Sequence, residues 1–317
     1  MTVCIAAMNP KLDVIVTVSD MLLSDETSSM DTVDSKMDRL IPVGSDPWSR
    51  WVCLYSGDPT VLKELTDHVK AALESPPELG WSRAQVMTAV QNAYDAVIHR
   101  RIEREVLAQQ YGMNFAQFSA LGQQKRGGGR FFDAINERIA EAKRFIVEDM
   151  LYHNPTELLV CGFGEDKRPN IFSADPIGRC TLRNGYGFHA IGIGAPAANA
   201  WLLVDSDFQH ASSVSEMIHR MCEAKFLAES PFVGKDTVVN AFFEYNAMLP
   251  LFLFESTTGA QLIRDSWEQH VKQKAPSASL AEIDRQLNAW ANASDQQVKL
   301  TAQPDGDDEA ERIVLGP

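Results

Sequence analysis

The sequence predicts an α+β fold in which helices are layered on antiparallel sheets. Three observations lead there. The chain opens on a hairpin of apolar, β-branched strands; strand runs come in blocks separated by helical blocks, without strict βαβ alternation; and the longest periodic stretch, Ser82–Tyr152, has the pattern of helix. Taken in order, Val3–Met8 and Leu12–Ser19 are the first two strands, joined by the turn residues Asn9-Pro10-Lys11. A polar stretch, Ser24–Ser35, precedes strands at Lys36–Val43 and Trp51–Ser56, which flank a turn over Gly44–Arg50. Asp58-Pro59-Thr60 is a helix start, with Val61, Leu62, Leu65 and Val69 at helical spacing behind it.

The Ser82–Tyr152 helical pattern breaks once, at Gln123–Arg130, where Gly127-Gly128-Gly129 falls. Strands return at Glu157–Gly164, Asn170–Ala174 and Phe188–Gly192; helices follow at Ala195–Gln209 and Ser213–Ala228, and a strand at Asp236–Glu244. This divides the chain into a domain over residues 1–275 and a polar extension over 276–317. The extension carries one helical pattern, Leu280–Ala291. It ends in a stretch with Asp305, Asp307, Asp308, Glu309 and Glu311, which reads as a solvated, disordered tail.

Composition excludes several classes. With 29 basic and 43 acidic residues among 317, the net charge is −14, and a phosphate backbone would be repelled over most of the surface. No apolar run approaches a membrane span; the longest, around Met248–Phe254, contains a proline. Val3–Met8 lacks the flanks of a signal peptide. Cys4, Cys53, Cys161, Cys180 and Cys222 are odd in number and without a CxxC pair, so they read as buried thiols of a reducing compartment, the cytoplasm. The histidines form no HxH or HxxxH pair and no cysteine stands at zinc spacing, so no metal site is expected.

Position 2 carries the chemistry. Met1 followed by a small residue is the context for methionine removal, which would leave Thr2 first. A threonine hydroxyl needs a base beside it, and a free α-amine on the same residue can be that base. A hairpin turn centred on Lys11 pairs residues whose numbers sum to 22, which sets Asp20 across from Thr2. Opposed Cβ atoms lie about 4.5–5.5 Å apart, and this register is good to about one residue. Lys36, sixteen residues on, opens the strand Lys36-Met37-Asp38-Arg39-Leu40-Ile41; its charge favours an ionised threonine oxygen or a depressed amine pKa, and Asp20 holds it.

These residues resemble the proteasome β-subunits and their bacterial ring-protease relatives, the N-terminal-nucleophile hydrolases. The resemblance runs through Thr2-Val3-Cys4-Ile5-Ala6-Ala7, Asp20, Lys36–Ile41 and Tyr55-Ser56-Gly57-Asp58, then Leu158–Gly164, Ile171–Asp175 and Ala190-Ile191-Gly192-Ile193-Gly194-Ala195-Pro196. It covers residues 2–75 and about 155–245. It implies a four-layer αββα sandwich, with Asn92–Asn154 as a helical insertion. It further implies Thr2 as nucleophile, its amine as base, Lys36 as charged partner, Asp20 as orienter and the Gly57 N–H as oxyanion donor. The implied reaction is hydrolysis of peptide amides through an ester on Thr2, inside a homo-oligomeric ring that an unfoldase could feed, with no cofactor.

Two positions depart from the family. Ile193 stands where the β-subunits have a serine, and Ser230, with Glu229 one place off, where they have an aspartate. Both family residues support the terminal amine. The departures keep two alternatives open: an inert ring subunit, and a small-molecule amidase of the same nucleophile class. Gly192–Ala197 also matches the dinucleotide pattern GxGxxA, but lies late in the chain and contains Pro196. Lys125–Arg130 lacks the strand and spacing of a phosphate loop and reads as a solvated connection; Trp201–Val204 with Phe208 reads as core or subunit contact.

Overall fold

A computed structural model describes residues 2–9, 11–20, 22–24, 29–31, 36–40, 50–75, 77, 80–123, 129–153, 155–204, 213–229, 233–243, 252–254, 262–268 and 285. The expected Leu280–Ala291 helix (Arg285 apart), the acidic tail, Phe208, Ser230 and Lys125–Gly128 lie outside them.

Among the described residues the protein is α+β with two five-stranded antiparallel sheets. In the first, β1 (Cys4–Asn9) and β2 (Val14–Asp20) form the opening hairpin. The late strands β10 (Phe188–Ile191), β11 (Thr237–Phe243) and β12 (Phe252–Phe254) complete it in the order β10-β1-β2-β11-β12. The second runs β5-β6-β7-β8-β9: Met37–Arg39, Arg50–Ser56, Glu157–Phe163, Pro169–Ala174 and Cys180–Leu182. A separate pair, β3 (Leu22–Ser24) and β4 (Ser29–Asp31), partly occupies the stretch expected to be polar connection; β9 was not expected either.

Side-chain alternation along the hairpin makes the layers. Val3, Ile5, Ala7, Val14, Val16 and Val18 face helices α6 (Ala195–Val204) and α7 (Val214–Leu227). Cys4, Ala6, Met8 and Ile15 point the other way and meet Val52, Leu54, Leu159, Cys161 and Ile171 of the second sheet. The far face of that sheet is covered by α1 (Pro59–Ala72), α2 (Arg83–Ile102) and α5 (Gly129–Tyr152). Both hairpin strands are therefore buried on both faces, which is why they read as continuous apolar runs.

α1 starts as the sequence indicates: the Asp58 side chain accepts from Thr60 N (2.7 Å) and Pro59 occupies the first turn. The helical block has more breaks than its glycine run suggested. A π-helical segment, Glu103–Ala108, and a short α3 (Gln109–Tyr111) ending on Gly112 at φ +62° precede α4 (Phe115–Gln123). Leu107, Phe118 and Ile135 form a small core of their own there. No described helix is long and apolar enough to cross a membrane. In α6, Leu202 is buried, whereas Leu203 and Val204 are exposed.

One expected register is corrected. The hairpin pairs Cys4 with Ser19 and Asn9 with Val14, so Asp20 lies across from Val3 rather than Thr2. The cause is the turn: Asn9 and Val14 close a four-residue connection, with Asp13 at φ +45°, which moves the centre half a step past Lys11.

Candidate active site

Three strand ends bring Thr2, Asp20 and Lys36 together. Thr2 precedes β1, Asp20 is the last residue of β2, and Lys36 precedes β5, its carbonyl accepting from Tyr55 N of β6 at 3.3 Å. The Thr2 hydroxyl donates to Asp20 Oδ1 and accepts from Lys36 Nζ. Lys36 Nζ also donates to Asp20 Oδ1, 3.0 Å away. All three side chains are buried, so this ion pair acts on the hydroxyl with little solvent screening. The half-step register error leaves the contact intact because Asp20 reaches diagonally to Thr2 from the strand end.

Asp20 is held by main chain. Val3 N donates to Oδ1 at 3.1 Å and Gly234 N to Oδ2 at 3.0 Å, so both oxygens are fixed. Cys4 Sγ lies 4.0 Å from the Thr2 hydroxyl and donates to the Tyr55 carbonyl at 3.4 Å. Burial, reinforced by the Asp20 charge, pushes this thiol up to about 12. It is therefore a neutral neighbour of the Thr2 hydroxyl.

The Thr2 carbonyl sits in a glycine seat. Gly194 N donates to it at 3.3 Å, and Gly192, at φ +89°, passes so close that a Cβ there would be 2.4 Å from Thr2 O and 3.0 Å from Ser56 Oγ. Gly192 N donates to Glu157 Oε2 at 3.1 Å. The pattern that could pass for a dinucleotide loop is thus filled by the chain's own first residues. Ile193, between the glycines, is exposed.

Gly57 follows Ser56 at the turn from β6 into α1 and is exposed, with φ +121°. A Cβ there would lie 2.2 Å from the Pro155 carbonyl, so packing alone requires glycine, apart from any approach by a substrate.

Glu229 is engaged away from Thr2. Its carboxylate takes Lys225 Nζ at 2.7 Å and both terminal nitrogens of Arg264, which hold it below the usual carboxylate range against the effect of burial. Sequence reasoning missed this network and its link to Asp20 through Gly234. The only signal for it was the four-residue spacing of Lys225 and Glu229 at the end of a helix, a common surface pattern.

No family model and no curated protein matches the sequence. Among solved structures, the chain is similar to Anbu from Hyphomicrobium sp. strain MC1, solved as a Gly-1 mutant. The TM-score is 0.56 at 12% identity, over 86% of this chain and 96% of that one. It is similar also to Anbu, an ancestral beta-subunit, from Yersinia bercovieri, with TM-score 0.55 and 13% identity over 87% and 98%. At these identities the likeness shows the fold, which is proteasome-like.

Proposed function

We propose that this protein is an N-terminal threonine hydrolase of amide bonds, a proteasome-like peptidase working in a homo-oligomeric ring of four-layer αββα subunits. One observation carries the reading: a buried threonine hydroxyl at residue 2, bonded at once to a lysine ammonium and an aspartate carboxylate. Removal of Met1 frees the α-amine of Thr2. The amine takes the proton as Thr2 Oγ1 attacks the carbonyl carbon of the substrate amide, Lys36 stabilises the developing alkoxide, and the Gly57 N–H donates to the carbonyl oxygen as it becomes an oxyanion. The proton then passes to the leaving amine as the C–N bond breaks, which leaves an ester on Thr2. Water activated by the same amine cleaves the ester, releasing the carboxylic acid and restoring the hydroxyl.

Ile193 favours a second reading, an inert subunit of the same fold, because its side chain has no donor for the amine where the β-subunits have a serine. Intact mass followed by a β-lactone probe decides between the two. Loss of Met1 with one probe adduct mapped to Thr2, absent in Thr2→Ala, supports the hydrolase. A retained methionine with no adduct refutes it. Native mass in the same samples separates a ring peptidase from a monomeric amidase.

A further inference from the structure

Lys225 lies on α7 with its side chain fully buried, among the largest buried residues of the protein. Its ammonium donates to Glu229 (2.7 Å), to the Gly234 carbonyl (2.8 Å) and to the Lys235 carbonyl (2.8 Å), so all three protons are placed. Arg264, from the helical residues 262–268, donates to the same Lys235 carbonyl at 2.6 Å and stacks 4.4 Å over the Phe226 ring. Two cations thus converge on the loop whose Gly234 N–H holds Asp20 Oδ2. A buried lysine is costly, and a loop needing only to close could do so with a backbone turn. Lys225 also interacts electrostatically with Asp20 itself, besides Glu229 and Arg264; Cys222 and Glu223 stand beside it on α7 and Asp236 beside Arg264.

From this geometry we infer that Lys225 is a positioning residue for the Thr2 site: it clamps the Gly234–Lys235 loop so that the Gly234 N–H fixes the Asp20 carboxylate, and its charge helps keep the terminal amine neutral. The inference rests on the hydrolase reading above. Arg264 and Glu229 complete the clamp from the far side.

The test uses the full chain and two readouts. The first is the pH profile of β-lactone labelling at Thr2; the second is hydrogen exchange of the Gly234 amide, which needs no activity. Lys225→Met is expected to speed Gly234 exchange at least about tenfold while β1 and β2 amides stay protected. It should slow labelling about tenfold and move the acid limb upward by about half a pH unit, because a lost cation raises the amine pKa. Lys225→Arg, which keeps the charge, should restore the acid limb. If Lys225→Met does not fold, Arg264→Gln decides, with shifts in the same direction. Unchanged Gly234 exchange overturns the inference. Faster exchange with an unmoved pH profile also overturns it, since Lys225 would then be structural only. Wild-type protein that takes no label at Thr2 sinks the hydrolase reading itself, and the positioning role with it, before any variant is compared.

Discussion

Gly192→Ala puts one methyl group against the backbone of Thr2. The new Cβ would start 2.4 Å from Thr2 O and 3.0 Å from Ser56 Oγ, so the Thr2 carbonyl must retreat by about 0.6–1.0 Å to reach a tolerable contact. The Gly194 N–H bond to that carbonyl, already 3.3 Å long, would be lost in the movement. The φ of +89° adds about 1–2 kcal/mol of backbone strain for an L-residue. A displacement near 1 Å at a reacting group costs about a hundredfold in rate. Labelling of Thr2 by a β-lactone should therefore fall about a hundredfold, while the melting temperature drops only about 2–4 °C per kcal/mol of strain. Gly112→Ala is the control. It shares a positive φ, +62°, but a Cβ there meets nothing within 4 Å, so it should lower the melting temperature slightly and leave labelling unchanged. Labelling of Gly192→Ala within twofold of wild type would refute the seat.

Lys36→Ala and Asp20→Asn should each cut turnover about a hundredfold or more, read as kcat on a peptide amide; near-normal rates in both would remove them from the chemistry. Iodoacetamide at pH 8 should leave Cys4 unmodified and activity intact, since a thiol pushed up to about 12 is ionised in only about one molecule in ten thousand there; inactivation that tracks a Cys4 adduct would reverse the nucleophile assignment. Burial, then the nearby Arg183 charge, lowers His189 from 6.5 to about 4, so the unfolded chain binds its proton first. Stability contributed by neutral His189 is complete above pH 6.5 and is lost as pH falls toward 4; thermal melts should show this slope, and His189→Asn should flatten it.

The hairpin and the contact of Thr2, Asp20 and Lys36 were legible because they are local in sequence or lie on strands with strong patterns. Thr2 and Asp20 share one hairpin, and Lys36 opens the next strand, so counting residues nearly placed them. The register slipped half a step because residue types do not state a turn's length, and Asp13 takes a positive φ with no glycine to announce it. The support for Asp20 was illegible for another reason. Gly234 stands 214 residues from Asp20, and its only sequence mark is a glycine in a short loop. Lys225 resembled any charged helix residue until the fold buried it. The breaks at Glu103–Gly112 escaped notice because residues 103–108 keep helical spacing while the backbone widens into a π turn.

The departure at Ile193 bears on one part of the site only. The seat for Thr2 uses main chain from both neighbours of Ile193: the Gly194 N–H on the Thr2 carbonyl and the close pass of Gly192, itself tied to Glu157. A side chain at 193 is not needed for any of these contacts, and Ile193 points into the open with half its surface exposed (53%). Asp20 and Lys36 are likewise held by groups that do not involve it. Isoleucine offers no side-chain hydrogen-bonding group there, and the Glu229 carboxylate is engaged elsewhere, held by Lys225 and Arg264. Thr2 is therefore seated by backbone, and its hydroxyl is held by a buried ion pair whose Lys36 ammonium is its nearest cation. Lys225, buried and in electrostatic contact with Asp20, is a second cation behind that carboxylate.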